Sequence, residues 1–360
     1  MEDWVMKKVG IIGTVGVPAC YGGFETLAEN LVTYAGEDIR YIVWCSAKAY
    51  PEKQDSYRGA ELRYLPLKAN GAQSTPFDLL SMIKALWQVD IMLILGVSGC
   101  LFLPLIKLLF KGKIIVNIDG LEHRRAKWGK TAKKFLLTSE KMAVRFADAV
   151  VADNESIRQY VRDTYGKEAA LIAYGGDHVL RDVPPQKQEE ILKAYGLEQG
   201  GYVIALCRIE PENNCDIILD AFSREGSPRL LFIGNWTNSE YGRSLLTRYG
   251  SSSQVILSPA VYDPDTVFTL RSNARAYIHG HSAGGTNPSL VEAMHIGRPV
   301  YAFDCSYNRN TTFGKAAYFS TADELAAELN QTAPSGEVLQ EIARKQYTWE
   351  IVTRRYEQLY

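Results

Sequence analysis

The stretch Ala274-Arg275-Ala276-Tyr277-Ile278-His279 runs into Gly280-His281-Ser282-Ala283-Gly284-Gly285-Thr286-Asn287 and then into Pro288-Ser289-Leu290-Val291-Glu292-Ala293-Met294. An apolar run too short for a helix suits a buried parallel strand. The small residues after it form a loop. That loop opens into a helix which Thr286 or Asn287 can cap, and whose first turn suits Pro288. Strand, loop and helix recur in this order along the chain.

In the first half, strands are expected at 8–13, 41–45, 62–65, 91–95, 113–118, 149–152 and 171–173, with helices that include 24–35, 77–88, 131–146 and 155–165. In the second half, strands are expected at 202–206, 229–233, 254–257, 274–279 and 299–302, with helices at 187–195, 215–222, 241–249, 265–271 and 288–295. Apolar strands alternating with amphipathic helices predict α/β domains, each a doubly wound parallel sheet covered on both faces. A Pro184-Pro185 pair in a polar stretch marks the linker. Residues 91–110 are apolar except for Lys107, about the length of a bilayer span. Gly96, Ser98, Gly99 and Pro104 break that run, so strand, turn and short helix are expected there instead.

A chain of 360 residues exceeds what one core usually organises, which favours two globular domains. A formal net charge of −1 argues against a general nucleic-acid binder, because such proteins carry a basic excess. Charge is nevertheless uneven. Between 124 and 145, Arg124, Arg125, Lys127, Lys130, Lys133, Lys134, Lys141 and Arg145 accompany one acid, Glu140. This stretch is either a solvated helix face or a contact for anionic lipid or acceptor phosphates. The six cysteines form no Cys-x-x-Cys pair and lie mostly in apolar runs, so they read as buried thiols of a reducing compartment. No metal site is suggested. Met1 to Lys8 lacks a signal-peptide pattern, from which a cytoplasmic location is expected.

Three loops carry the chemistry. The first strand ends in Gly13-Thr14-Val15-Gly16 and leads through Gly22-Gly23-Phe24-Glu25 into a helix; it is either a tight structural turn or a loop whose N–H groups approach an anion. The second, Arg208-Ile209-Glu210-Pro211-Glu212-Asn213-Asn214, places a cation at the end of a strand, where a diphosphate is its natural partner and Glu210 or Glu212 the structural alternative. The third is the loop at 284–287, whose N–H groups can face a phosphate or sugar oxygen, with Glu292 one turn into the helix to accept from ribose hydroxyls. Asp119, in Asp119-Gly120-Leu121-Glu122-His123 after the strand at 113–118, is the candidate for orienting an acceptor or transferred sugar, or else it caps the next helix. Glu122 stands behind it, and His123 reads as a surface histidine.

These segments resemble the retaining glycosyltransferases of family 4, and within them the bacterial rhamnosyltransferases of capsule and exopolysaccharide synthesis. Gly22-Gly23-Phe24-Glu25 matches the Gly-Gly-x-Glu loop, and Ile172-Ala173-Tyr174-Gly175-Gly176-Asp177 resembles the Ile-x-Asn-Gly-x-Asp segment. The loop from Arg208 to Asn214 matches the phosphate loop, and Glu292-Ala293-Met294 with Gly297 and Pro299 matches the Glu-Ala-Met-x-x-Gly-x-Pro-Val segment. Tyr347-Thr348-Trp349-Glu350 resembles the start of the family's C-terminal helix. Two positions depart from the pattern: Gly284 stands where the first Glu of a paired-glutamate motif is usual, and Asn213 replaces a phosphate-binding Lys.

The resemblance implies a GT-B fold of two Rossmann-like domains facing a central cleft. An acceptor domain is expected at 1–183, a nucleotide-sugar domain at 184–345 and a C-terminal helix at 346–360 returning to the first. It implies a catalytic set of Asp119, Arg208 and Glu292, and donor contacts from Gly22, Gly23, Arg208, Asn213, Gly284, Gly285, Thr286, Asn287 and Glu292. No cofactor or metal is implied, and transfer with retention is. The donor implied is dTDP-L-rhamnose, and the acceptor a lipid-diphosphate-linked saccharide met at the anionic inner face of the plasma membrane. A sugar-nucleotide 2-epimerase of the same fold and a catalytically idle nucleotide-sugar-binding subunit remain as alternatives.

Overall fold

The computed structural model describes residues 6–20, 22–125 and 128–360. Lys127 of the basic stretch and Tyr21 of the first glycine loop lie outside the described residues. The chain forms two compact units, one of residues up to Tyr174 together with Trp349–Tyr360, the other of Gly175–Thr348. The boundaries expected from the sequence lie at 183/184 and 345/346.

The first unit holds strands β1 (Lys7–Ile12), β2 (Ile39–Ser46), β3 (Ser56–Tyr57), β4 (Ala60–Leu65), β5 (Ile91–Leu95), β6 (Lys113–Asn117), β7 (Ala149–Ala152) and β8 (Ala170–Leu171). Their order across the sheet is β3-β4-β2-β1-β5-β6-β7-β8, parallel throughout except for the β3–β4 hairpin. Central strands are buried on both faces, as the residues of β5 are, because helices cover both sides. The connections β4 to β5, β5 to β6 and β6 to β7 all advance in one direction across the sheet. Right-handed crossover therefore puts helices Ser74–Ala85, Leu103–Leu109 and Lys130–Phe146 on one face. The β1-to-β2 connection runs the other way and places helix Gly23–Thr33 on the opposite face.

On that opposite face the last helix, Trp349–Glu357, completes the core. Trp349, Val352 and Tyr356 are fully buried against Leu27, Leu31 and Tyr41. Tyr356 Oη accepts from Asn117 Nδ2 at 2.8 Å, and the Tyr360 and Tyr41 hydroxyls meet at 3.0 Å. The segment at 91–110 is β5, a 3-10 turn Cys100–Phe102 and helix Leu103–Leu109, and among the described residues no helix is long and apolar enough to cross a membrane.

The second unit holds β9 (Tyr202–Leu206), β10 (Arg229–Ile233), β11 (Val255–Ser258), β12 (Ala276–His279), β13 (Val300–Phe303) and β14 (Ala317–Phe319), all parallel in the order β11-β10-β9-β12-β13-β14. The chain builds outward from β9 through β10 to β11, then returns to lay β12 on the other side of β9. The sheet thus has its topological switch point between β9 and β12. Cys45, Cys100 and Cys215 are buried as the apolar runs predict, but Cys20 is exposed, because the loop after β1 turns it outward.

Candidate functional site

In an open parallel sheet, ligands bind beyond the carboxyl ends of the strands at the switch point. In the second unit the loops that leave β9 and β12 meet there, and they are the two loops singled out above. Their backbones touch: a Cβ on Gly280 would stand 2.1 Å from the Asn213 carbonyl oxygen, so only glycine allows the approach. Ser282 N donates to the Glu212 carbonyl at 2.9 Å, and Asn214 Nδ2 donates to the Gly280 carbonyl at 2.8 Å. Asn213 is buried, with its Nδ2 on the Arg208 carbonyl at 2.7 Å and its Oδ1 2.6 Å from His281 Nδ1. Its side chain is a strut between the loops.

Arg208, by contrast, is exposed. Glu210 approaches its guanidinium to 3.8 Å, a loose ion pair between two solvent-exposed side chains that leaves the cation largely open to solvent. Gly284 has φ +92°, and among the described residues the N–H groups of Gly284 and Gly285 donate to no protein acceptor. Thr286 is buried, its hydroxyl 3.4 Å from that of Thr311. Asn287 caps helix Pro288–Ile296, its Oδ1 accepting from Ser289 N at 2.9 Å. A cation, two open backbone donors and a helix N-terminus form a set that suits an anion.

Glu292 lies on that helix and is clamped by a residue outside the sequence motifs. Arg271, on helix Pro264–Ser272, donates from Nη1 to Glu292 Oε2 at 2.6 Å and is only 3% exposed; His178 Nε2 stands 3.7 Å from the other carboxylate oxygen. Burial works to lower the Arg271 pKa, yet the Glu292 carboxylate and then Tyr277 outweigh it and hold the guanidinium charged. An Arg in an amphipathic helix reads as a surface cation, and only its inward register reveals the pair. Behind the loops, burial and then the neighbouring His281 and Arg271 push His279 well below its usual pKa, so this imidazole is neutral.

In the first unit the switch point falls between β1 and β5, and the loop leaving β1 is the one that carries Gly22 and Gly23. Glu25 is buried and turned back into this loop, accepting from Val15 N at 2.8 Å and Thr14 Oγ1 at 3.2 Å. Gly22, at φ +131°, precedes the helix; a Cβ there would stand 2.2 Å from Glu25 Oε2. The pairing of Gly22 with Glu25 is therefore steric, and Glu25 shapes the loop. Glu25→Ala is expected to leave the Val15 N–H unsatisfied and to cost about 1–3 kcal/mol, read as a lower urea midpoint. An unchanged midpoint would show that water replaces the carboxylate.

After β6, Asp119 (φ +59°) and Leu121 (φ +57°) both hold left-handed backbone, with Asp119 N donating to Asn117 Oδ1 at 2.9 Å. Such conformations cost about 1–3 kcal/mol each and cluster at functional sites. The residues at the N-cap positions of the 3-10 turn Glu122–Arg124 and of helix Lys130–Phe146 are Leu121 and Gly129, neither of which supplies a side-chain cap. His123, expected at the surface, is instead bonded through Nδ1 to buried Glu140 at 2.9 Å, and that carboxylate also accepts from Tyr160 and Tyr165 at 2.8 and 2.7 Å. Burial, reinforced by Glu140, holds both phenols protonated above their usual range. Glu122 accepts from Trp128 Nε1 at 3.0 Å and Arg125 at 3.1 Å, which ties the segment after β6 together.

Residues 187–345 match the family described as glycosyl transferases group 1, and residues 6–177 match a domain of unknown function, DUF1972. No curated protein matches the chain. Among solved structures it is similar to a sucrose-phosphate synthase from Thermosynechococcus elongatus, at 16% identity and TM-score 0.79 over 98% of each chain. It is also similar to Anabaena HepE in complex with UDP, at 14% identity and TM-score 0.77 over 98% of this chain and 99% of that one. An E. coli structure titled trehalose-6-phosphate bound with UDP-2-fluoro glucose matches at 11% identity and TM-score 0.69 over 98% of each chain. The chain has the GT-B fold. The β9 and β12 loops, Arg271 and Glu292 all lie in the stretch that matches glycosyl transferases group 1, whereas the Gly22-Gly23 loop and Asp119 lie in the stretch that matches DUF1972.

Proposed function

We propose that the protein is a glycosyltransferase whose donor site is built on the β9 and β12 loops of the second unit. One observation carries this reading: the loop that holds Arg208 and the loop that holds Gly284, Gly285 and the start of the Glu292 helix leave neighbouring strands at the switch point of one sheet and are hydrogen-bonded to each other. Arg208 and those N–H groups hold the departing diphosphate, and Thr286 and Asn287 shape the loop around it. Glu292, oriented by Arg271, accepts from the ribose hydroxyls. Asn213 acts by fixing the two loops. Gly22 and Gly23 supply further backbone donors, and Asp119 orients the acceptor or the transferred sugar.

In the finer reading the donor is dTDP-L-rhamnose, the acceptor a lipid-diphosphate-linked saccharide of surface polysaccharide synthesis, and the place of work the inner face of the plasma membrane. The new glycosidic bond forms as the sugar–phosphate bond breaks. The leaving phosphate takes the acceptor's proton, configuration is retained, and cationic and N–H groups take the charge without a metal. HepE has been crystallised with UDP-glucose, which makes a UDP-sugar the competing donor.

A thermal-shift screen with EDTA present separates these cases, because a ligand of the native state raises the melting temperature by mass action. The expected result is stabilisation by dTDP and dTDP-L-rhamnose. Stabilisation by UDP sugars alone would discard rhamnose and keep the transferase. No response to any nucleotide would favour an idle subunit.

A further inference from the structure

Of the fourteen large apolar side chains exposed among the described residues, six lie on three of the helices that cover one face of the first sheet, Ser74–Ala85, Leu103–Leu109 and Lys130–Phe146, or on the turn after the first of them: Ile83, Trp87, Leu105, Leu108, Leu109 and Leu137. Leu105, Leu108 and Leu109 stand at i, i+3 and i+4, so helix Leu103–Leu109 buries Leu103 and Ile106 and turns a row of leucines, 61, 83 and 63% exposed, to solvent. Trp87, just past helix Ser74–Ala85, is 81% exposed. A soluble surface rarely gathers such residues without a partner.

The neighbouring helix supplies the charge. Helix Lys130–Phe146 packs against Leu103–Leu109, and Lys107 Nζ reaches Asp148 at 2.5 Å just beyond its end. Lys130, Lys134, Leu137, Lys141 and Arg145 follow helical spacing and are all exposed, forming one stripe. Its single acid, Glu140, is buried on His123 and two tyrosines, and Asp78, the one acid of helix Ser74–Ala85, is buried with Ser98 Oγ donating to it. The three helices therefore carry seven basic residues and two acids, both turned inward, in a chain whose net charge is −1. Gly99 packs on Asp78 and Met82, which holds the layer together.

We propose that the outer face of these three helices is a docking surface for an anionic lipid bilayer, with the leucine row and Trp87 entering the interface and the lysine stripe on the headgroups. Charge complementarity selects this occupant over a second copy of the chain, whose identical face would bring like charges together. The inference gives the membrane contact of the proposed function a definite surface. It rests on that reading for its purpose alone, since vesicle binding needs neither donor nor transfer.

The test is flotation of the full chain with phosphatidylcholine vesicles, with and without phosphatidylglycerol. The chain is expected to float only with the anionic vesicles and to be released by salt. Leu108→Glu with Leu109→Glu should weaken binding at least about tenfold, and Lys134→Glu with Lys141→Glu by about fivefold per residue. Val338→Glu, an exposed change in the second unit, should bind as wild type, and circular dichroism checks that each variant is folded. Wild-type indifference to anionic vesicles, or leucine variants that float unchanged, would overturn the proposal. So would light scattering that shows a dimer which the leucine variants break, because the face would then belong to a second copy. The nucleotide thermal shift is independent of all these outcomes and tests the donor reading by itself.

Discussion

Replacing Arg208 with alanine is expected to lower kcat/KM for sugar transfer by roughly 10²–10³-fold, the loss seen when one preorganised group facing developing charge is removed. The melting temperature should stay where it is. Both halves follow from position: Arg208 follows the end of β9, its side chain is exposed, and its ion pair with Glu210 is a loose one at 3.8 Å. It gives little to the fold and has its charge to offer a diphosphate. Arg208→Lys should recover only part of the rate, because an ammonium supplies the charge without the planar fork. Asn213→Ala makes the useful contrast, since its buried amide bridges the two loops and its removal should lower stability and rate together. Initial rates with a radiolabelled donor, set beside melting curves, decide this. An Arg208→Ala enzyme of full activity would move the phosphate site away from β9.

Arg271→Met is expected to produce the largest loss of stability, about 3 kcal/mol, because it strips a buried carboxylate pair of one partner and leaves the other uncompensated. The lower end of the range applies, as the Glu292 side chain keeps 16% of its surface in solvent. At about 2–4 °C per kcal/mol for a unit of this size, the second unit should melt roughly 6–12 °C lower. Arg271→Met with Glu292→Gln should regain part of that loss, since no charge is then left unpaired. Activity separates the roles: if Arg271 positions Glu292 for the ribose, the single variant raises KM for the donor more than it lowers kcat. A variant that melts early but binds donor normally would reduce the pair to a structural one.

The fold was legible wherever burial makes the sequence monotonous. Ile91–Leu95, Ala149–Ala152, Tyr202–Leu206 and Arg229–Ile233 have the expected ends, because strands covered on both faces read as unbroken apolar runs. Helix Glu155–Tyr165 does too, with Asn154 capping it and Gly166 ending it in left-handed backbone. Ser56–Tyr57 and Ala317–Phe319 were missed, being two and three residues long and set at or near sheet edges. The loops of the candidate site could be found from their small residues and strand–helix setting. Their meeting at one switch point could not, because that depends on strand order. Arg271 and Glu140 were hidden for a common reason: a charged residue in an amphipathic helix looks solvated until its partner, distant in sequence, is seen beside it.

The first unit is discontinuous, and Trp349, Val352 and Tyr356 lie at its centre. On the ribosome, domains generally close in the order in which they are made. Here that order is reversed. The nascent chain can complete Gly175–Thr348 while the earlier sheet still lacks its last helix, so a ligand that needs the finished first unit meets it only after the second unit is in place. Release of that helix later in the protein's life would reopen the older half while sparing the younger one.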